Sequence, residues 1–367
     1  MTVDRIELDF FRNYVHAEAD FSPGVNVVCG ENAQGKTNLL EAVAYLSGAR
    51  SHRAHYDKEL IGHGIDHGFL KGEVSARGRK FTLEARLSRK AGRQLFSNGV
   101  RLKSGGELGQ VLNTILFCPE DLSLIKAGAA ERRRFLDDVI CQLRPKYASA
   151  LAEYRRIYDQ KTRILRDWEE KPSLLDTLDD FNLRLAQMGA ILIHYRAHFV
   201  KRLCACAPPI QAEFSGGRET LELRYETVSS VADPEANPKA ILGELLDRQQ
   251  ALRQAELDSR LCLVGPHRDD LAVDIDGQPA RQFASQGQVR TAALSLKLAC
   301  RTLFEEETGE WPVLLLDDVL SELDERRQRF VLERITGGQV FITCCQGEEL
   351  LSQKDGKTFV VRNGTVK

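Results

Sequence analysis

Short apolar runs alternate along the chain with longer stretches in which apolar positions recur every three or four residues, the pattern of interleaved strands and helices. Gly24 to Cys29 is short and rich in β-branched residues, as a buried parallel strand requires. Beyond a glycine-containing turn, Leu39, Leu40, Val43 and Leu46 repeat at helical spacing within Asn38 to Leu46. Met1 to Phe11 reads as a mixed polar and apolar strand. Val313 to Leu316 is a wholly apolar strand that runs into Asp317-Asp318, and Gln339 to Thr343 is a further strand. Asn98-Gly99, set between Leu95-Phe96 and Val100 to Leu102, signals a hairpin, and Asp276-Gly277 signals another.

The middle of the chain is different. Ala130 to Glu170, Leu174 to Cys206 and Lys239 to Leu261 read as helices, interrupted at Pro145, Pro172, Pro208-Pro209 and Pro238. They lack the sustained heptads of long coiled-coil arms, so they predict a compact lobe. A later helix carries Val289, Ala292, Ala293, Leu296, Cys300, Leu303 and Phe304 on one stripe, and Ser285 is suited to cap its start. The expected class is α/β. Residues 1–128 and 262–367 form a head with β-ribbons, and 129–261 is a mainly helical insertion.

Composition adds limits. Hydrophobic residues make up 43% of the 367 positions and charged residues 28%, which suits a globular protein and excludes a disordered chain. No run approaches the roughly 18 apolar residues of a membrane span, and no signal peptide is visible at the N-terminus. A soluble cytoplasmic protein with no membrane partner is expected. The nine cysteines are scattered, and Cys204 with Cys206 lacks a second pair at zinc spacing, so reduced thiols are expected. His52, His55, His63 and His67 show no metal spacing and are expected at the surface. Net charge is only −2, yet Lys71 to Lys103 holds ten basic and two acidic residues, and Ala130 to Arg166 ten and five. Segregated basic segments suit a polyanion partner. Arg77, Arg79, Lys80, Arg86, Arg89, Lys90 and Arg93 are the phosphate contacts that charge alone suggests.

The chemistry centres on Gly30-Glu31-Asn32-Ala33-Gln34-Gly35-Lys36-Thr37, followed by Asn38. Strand, GxxxxGKT and helix in succession is the setting of a phosphate-binding P-loop. The glycines allow backbone N–H groups to converge on phosphate, and the helix presents its positive end. Lys36 is expected to reach the β- and γ-phosphates of ATP, and the Thr37 hydroxyl to ligate Mg²⁺. Asp317, at the end of its apolar strand, is the expected second Mg²⁺ partner. Asp318 is the candidate to polarise the attacking water, so Lys36, Asp317 and Asp318 carry the catalytic expectation.

The gap of 281 residues between Lys36 and Asp317 demands a large insertion between two halves of one head. Ser285-Gln286-Gly287-Gln288 resembles the ABC signature, with Gln286 in place of its first glycine. Ser321-Glu322-Leu323-Asp324 matches the D-loop. In ABC proteins the signature binds the γ-phosphate held by an opposite subunit, so an ABC-type head with a β-ribbon lobe and a helical lobe is expected.

Further motifs narrow the class. They are Phe11-Arg12-Asn13-Tyr14, Ser51-His52-Arg53, Phe117 to Leu122, Arg132 to Asp137, and Gly265-Pro266-His267-Arg268-Asp269-Asp270. From end to end the chain resembles the RecF family of recombination mediators, the Gly-Pro-His-Arg-Asp-Asp run being its most specific feature. That resemblance implies an ATP-dependent homodimer on DNA that acts with RecR and RecO ahead of RecA. The aspartate at 318, where ABC proteins generally place glutamate, predicts slow hydrolysis. No histidine follows the strand ending at Thr343, which disfavours a transporter-type ATPase subunit. A non-hydrolysing scaffold with a purely structural P-loop also competes with this assignment. A P-loop kinase competes less well, since it would leave the wide motif spacing and the signature helix unused. His267 is either a structural residue or a nucleotide contact.

Overall fold

The computed structural model describes residues 1–227, 231–320, 323–335, 337–345 and 356–367. The chain forms two compact units, Met1–Asp121 with Lys297–Lys367, and Leu122–Leu296.

The first unit opens with β1 (Thr2–Phe11), β2 (Tyr14–Asp20) and β3 (Val25–Cys29), then α1 (Lys36–Tyr45). A meander follows: β4 (His67–Ala76), β5 (Arg79–Ser88), β6 (Gly92–Ser97) and β7 (Val100–Arg101). Asn98 and Gly99 adopt φ of 49° and 77° at the expected hairpin, the backbone that a tight two-residue turn needs. After β8 (Thr114–Phe117) the chain enters the second unit.

There it forms α2 (Ser123–Lys126), α3 (Ala129–Leu143), α4 (Pro145–Asp167), α5 (Leu178–Ser215) and β9 (Leu221–Glu226). Next come α6 (Pro238–Ser259), β10 (Asp270–Ile275), β11 (Gln278–Pro279), α7 (Ala280–Phe283) and α8 (Gln286–Thr308). The chain ends in the first unit with β12 (Val313–Leu316), α9 (Glu325–Arg334), β13 (Val340–Cys344), β14 (Gly356–Arg362) and β15 (Thr365–Val366).

Two sheets build the first unit. One is antiparallel, in the order β2-β1-β4-β5-β6-β7; the other runs β15-β14-β3-β13-β12-β8, parallel from β14 to β8. Sequence pattern follows burial. β12 and β13 are buried at every position, whereas β4 alternates buried and more exposed residues because only one face meets the core. Leu39, Leu40 and Val43 of α1 join β1, β4 and β5 residues in a single apolar cluster with Val313 and Phe341. The P-loop strand and its helix therefore join a continuous buried core through Val28, Leu39, Leu40 and Val43.

In the second unit the helical stretch is interrupted at Pro145 as expected, and Pro145 and Pro238 start α4 and α6, because a first-turn residue needs no N–H partner. Pro208 and Pro209 do not end α5 as the sequence suggests. The helix continues to Ser215, with Ala207, Ile210, Gln211 and Phe214 buried, and stops at Gly216 with φ of 66°. Burial of that face outweighs the lost backbone donors. β9 pairs with β10, which draws residues 262–296, and with them the Asp276-Gly277 hairpin, into this unit and away from the expected head.

The Gly265 to Asp270 segment acts as a hub. Arg132 grips the Asp270 carboxylate with two bonds of 2.7 Å, and Tyr225 donates to Asp269 at 2.5 Å. Arg196, itself bound to Asp137, donates to the Pro266 carbonyl at 2.8 Å. His267 has both nitrogens engaged: Nε2 lies 3.0 Å from the Cys262 carbonyl and Nδ1 2.6 Å from the Tyr154 hydroxyl. A carbonyl can only accept, so Nε2 carries the proton and Nδ1 accepts from Tyr154. Burial pushes the imidazole down to about 4, which keeps it neutral. Those contacts support the structural role for His267.

Candidate functional site

The turn between β3 and α1 is shaped from behind. A Cβ on Gly30 would lie 2.4 Å from the Val361 carbonyl oxygen, so only glycine lets the loop pass β14. Gly35 has φ of 122°, and a Cβ there would meet the Asn13 amide at 2.8 Å. Asn13 donates to the Gln34 carbonyl at 2.8 Å and accepts from Asn38 at 2.8 Å, while the Tyr14 hydroxyl donates to the Gly35 carbonyl at 2.9 Å. The Gly364 and Asn363 N–H groups also bond to Gln34. Glu31, Asn32 and Ala33 form the exposed tip of the loop. The Lys36 ammonium donates to the Gly30 carbonyl at 2.7 Å and the Glu31 carbonyl at 3.2 Å, inside the loop it belongs to. The first turn of α1 contains no acidic residue, so its positive end is left for an anion.

β13 lies between β3 and β12 and joins the two halves of the site. Thr37 donates to Asp317 Oδ1 at 3.1 Å, and Thr343 donates to the same oxygen at 2.8 Å. The Thr343 hydroxyl in turn accepts the Asp318 N–H at 2.8 Å. Asp318 has φ of 53°, a left-handed backbone that a non-glycine residue holds only where its surroundings enforce it. Burial pushes the Asp317 carboxyl above its ordinary value, Asp318 adds to that, and the two threonine bonds oppose it. An ionised carboxylate in such a place favours a cation. A threonine hydroxyl and a carboxylate are hard oxygen donors, the set that fits Mg²⁺.

Sequence spacing thus identifies Gly30, Gln34, Gly35, Lys36, Thr37, Asn38 and Asp317 as neighbours, and the structure brings them together. The signature residues lie in the second unit. Ser285 Oγ accepts the Gln288 N–H at 3.3 Å and Gln288 Oε1 accepts the Ser285 N–H at 2.9 Å, a reciprocal cap on α8. Ser285 and Gln286 are exposed, and Gly287 is half-buried. Of the D-loop, Ser321 and Glu322 lie outside the described residues, and Asp324 caps α9 through the Arg327 N–H.

The seven proposed phosphate contacts do not form one patch. Arg77, Arg79 and Lys80 sit at one end of the β4–β5 hairpin, and Arg89 and Lys90 follow the far end of β5. Ten residues of strand separate these ends by about 30 Å. Arg89 is occupied with the Ile61, Gly62 and Ile65 carbonyls, Arg93 with Ala49 and Asp57, and Arg86 with Glu84.

His52 is not the surface residue expected. Both of its ring nitrogens are buried, and burial holds the imidazole below its ordinary value although Glu41, Asp317 and Glu120 pull the other way. His55, His63 and His67 are exposed. None of the nine cysteines, all among the described residues, is in a disulfide, and among the described residues no group of three or more His, Cys, Asp or Glu is placed to hold a metal by itself. Thr343, Asn13 and Tyr14 carry no site expectation from spacing. Thr343 did offer one signal, a polar residue at the end of a buried strand, as Asp317 is.

A family model described as the RecF/RecN/SMC N-terminal domain matches residues 2–366. The chain is 43% identical over 374 aligned residues to the DNA replication and repair protein RecF of Listeria welshimeri, covering 100% of both. It is 38% identical over 365 residues to that of Acetivibrio thermocellus, covering 99% of this chain and 98% of the relative. Among solved structures it is similar to the recombination mediator protein RecF-ATP in the RecFOR pathway, with 35% identity, a TM-score of 0.92, and coverage of 100% and 96%. An Smc head domain from Pyrococcus furiosus shares the fold at 16% identity and a TM-score of 0.57, covering 100% of this chain and 95% of that one. On its P-loop, its Asp317 strand and these full-length matches, the chain belongs to the RecF family.

Proposed function

We propose that this protein is an ATPase of recombinational DNA repair that binds DNA as a homodimer closed around ATP. The observation that carries the reading is the junction of Thr37 and Asp317, 3.1 Å apart at the mouth of a P-loop. Lys36 would bind the β- and γ-phosphates. Thr37 and Asp317 would hold Mg²⁺, whose charge offsets that of the triphosphate. Asp318, with its backbone fixed by Thr343, would orient the attacking water. Its short carboxylate and enforced backbone support slow turnover, here taken to be stimulated by DNA.

The second half of each site comes from another copy. Ser285 and Gln286 lie exposed at the start of α8, and the positive end of that helix is suited to a γ-phosphate bound elsewhere. ATP then acts as the link that stabilises the dimer. The name of the solved relative, a recombination mediator of the RecFOR pathway, supports work with RecO and RecR; action in the cytoplasm, ahead of RecA, belongs to the same proposal. Among the described residues no helix is long and apolar enough to cross a membrane.

Sedimentation of wild type and Ser285→Arg, with and without Mg-ATP, tests this reading. Wild type should dimerise only with nucleotide, and the variant should bind ATP yet remain monomeric. A wild type that stays monomeric at saturating ATP defeats the clamp.

A further inference from the structure

We propose that His52 is an additional ligand of the bound triphosphate, meeting its γ-phosphate end beside Thr37, an inference that rests on the reading of this site as an ATP site. The loop bearing His52 is fastened on both sides. Ser51 donates its hydroxyl to Glu41 and accepts the N–H groups of Arg53 and Ala54 at 2.9 and 2.7 Å. Arg53 donates to Asn38 Oδ1 at 3.1 Å. Glu41 lies four residues after Thr37 on α1 and so on the same face, and Asn38 directly follows Thr37. The residue between these anchors is therefore held along the side of α1 that turns Thr37 toward Asp317.

The anchors are rigid. Glu41 is fully buried and gripped by Arg12 through two bonds of 2.8 and 2.7 Å. Burial works to raise the Glu41 carboxyl, but Arg12 and Ser51 outweigh it and hold it below its ordinary value. Within this satisfied surrounding the His52 ring has no hydrogen-bond partner among the described residues, although both nitrogens are shielded from solvent. A neutral imidazole always offers one donor and one acceptor, and leaving both unmet is unfavourable. With no described residue meeting them, these two nitrogens are left for a bound ligand. A ring kept neutral among Glu41, Asp317 and Glu120 suits a ligand that arrives with its own cation, since an N–H can donate to a phosphate oxygen without adding charge. This supplies, from the loop after α1, a histidine at the phosphate end that the chain lacks after β13.

Calorimetry on the full chain, with Mg²⁺ and either a non-hydrolysable ATP analogue or ADP, tests the proposal. His52→Ala should weaken the analogue about tenfold or more while ADP stays within about twofold, and His52→Gln should recover part of the loss. Equal weakening of both nucleotides, or no change in either, overturns it. If His52→Ala does not fold, ring ¹⁵N spectra of the wild type decide. The His52 resonances should move on adding the analogue and stay put with ADP, and a still spectrum with the analogue overturns the proposal. A wild type that binds neither nucleotide defeats the ATP reading itself. A wild type that binds both while the His52 variants are indifferent defeats this inference alone.

Discussion

Thr343→Val removes one hydroxyl and almost nothing else, so it isolates the cross-brace between the two halves of the site. Valine keeps the β-branched shape but not the polar group, in a strand buried at every position. Two bonds disappear: the donation to the Asp317 carboxylate and the acceptance from the Asp318 N–H, both 2.8 Å. A bond to a charged group contributes about 1.5–3 kcal/mol, and a buried N–H left without a partner costs about 1–3 kcal/mol. Allowing for partial relaxation, the local loss is about 2–4 kcal/mol. It should fall on Asp318, whose φ of 53° is enforced by this contact. The assay is amide exchange at Asp318 by mass spectrometry, with Mg-ATP binding measured in parallel. Exchange should rise by about 30-fold or more, and Mg-ATP should bind more weakly because the Asp317 carboxylate has lost one of its two orienting donors. If Asp318 remains as protected as in wild type and Mg-ATP affinity is unchanged, Thr343 is not the brace and the account of the site is wrong.

Two further substitutions follow from the geometry. Gly35→Ala must either push the Asn13 amide off Gln34 and Asn38 or distort the φ of 122°, at about 1–3 kcal/mol. Equilibrium nucleotide binding should weaken with little loss of helix content by circular dichroism. Unaltered affinity would refute the rear clamp. His267, held neutral with a value of about 4 against 6.5 in an unfolded chain, binds fewer protons folded than unfolded between those pH values. Its contribution is therefore present above pH 6.5 and is lost as pH falls toward 4, amounting to about 3 kcal/mol. Urea unfolding at pH 7 and pH 5 should show that decline in wild type and a smaller one in His267→Gln, and identical slopes would remove the argument.

Some of this was legible in the sequence for a definite reason. Apolar runs ending in polar residues mark buried strands that deliver side chains at the sheet's edge, so the Gly30 turn and Asp317 stand out at a separation of 281 residues. What joined them did not stand out. Thr343 and Asn13 work through partners fixed by strand order and by a turn in another sheet, and no local pattern records either. His52 looked solvated because a polar loop follows α1. Only the anchors on Glu41 and Asn38 turn it inward. Pro208-Pro209 misled for the opposite reason, since local chemistry argued for a break and buried contacts on α5 prevailed.

Charge shows the same limit most clearly. Lys71 to Lys103 is strongly basic as a string, but β4 pairs with β1, and β1 with β2. Lys71 lies opposite Glu7 on one side and Glu84 on the other. Arg5 is similarly bound to Glu18 and Asp20. The sheet therefore presents alternating signs where the sequence suggests a basic face, and such a surface exerts little pull on a polyanion beyond a Debye length of about 8–10 Å. Arg89 and Arg93 spend their guanidinium groups on loop carbonyls and Asp57, so truncating them would loosen the loops around α1 rather than remove a phosphate contact. Arg77, Arg79 and Lys80 are exposed at the β4–β5 turn, beyond the last pairing of β4 with β1 at Thr2 and Ser75.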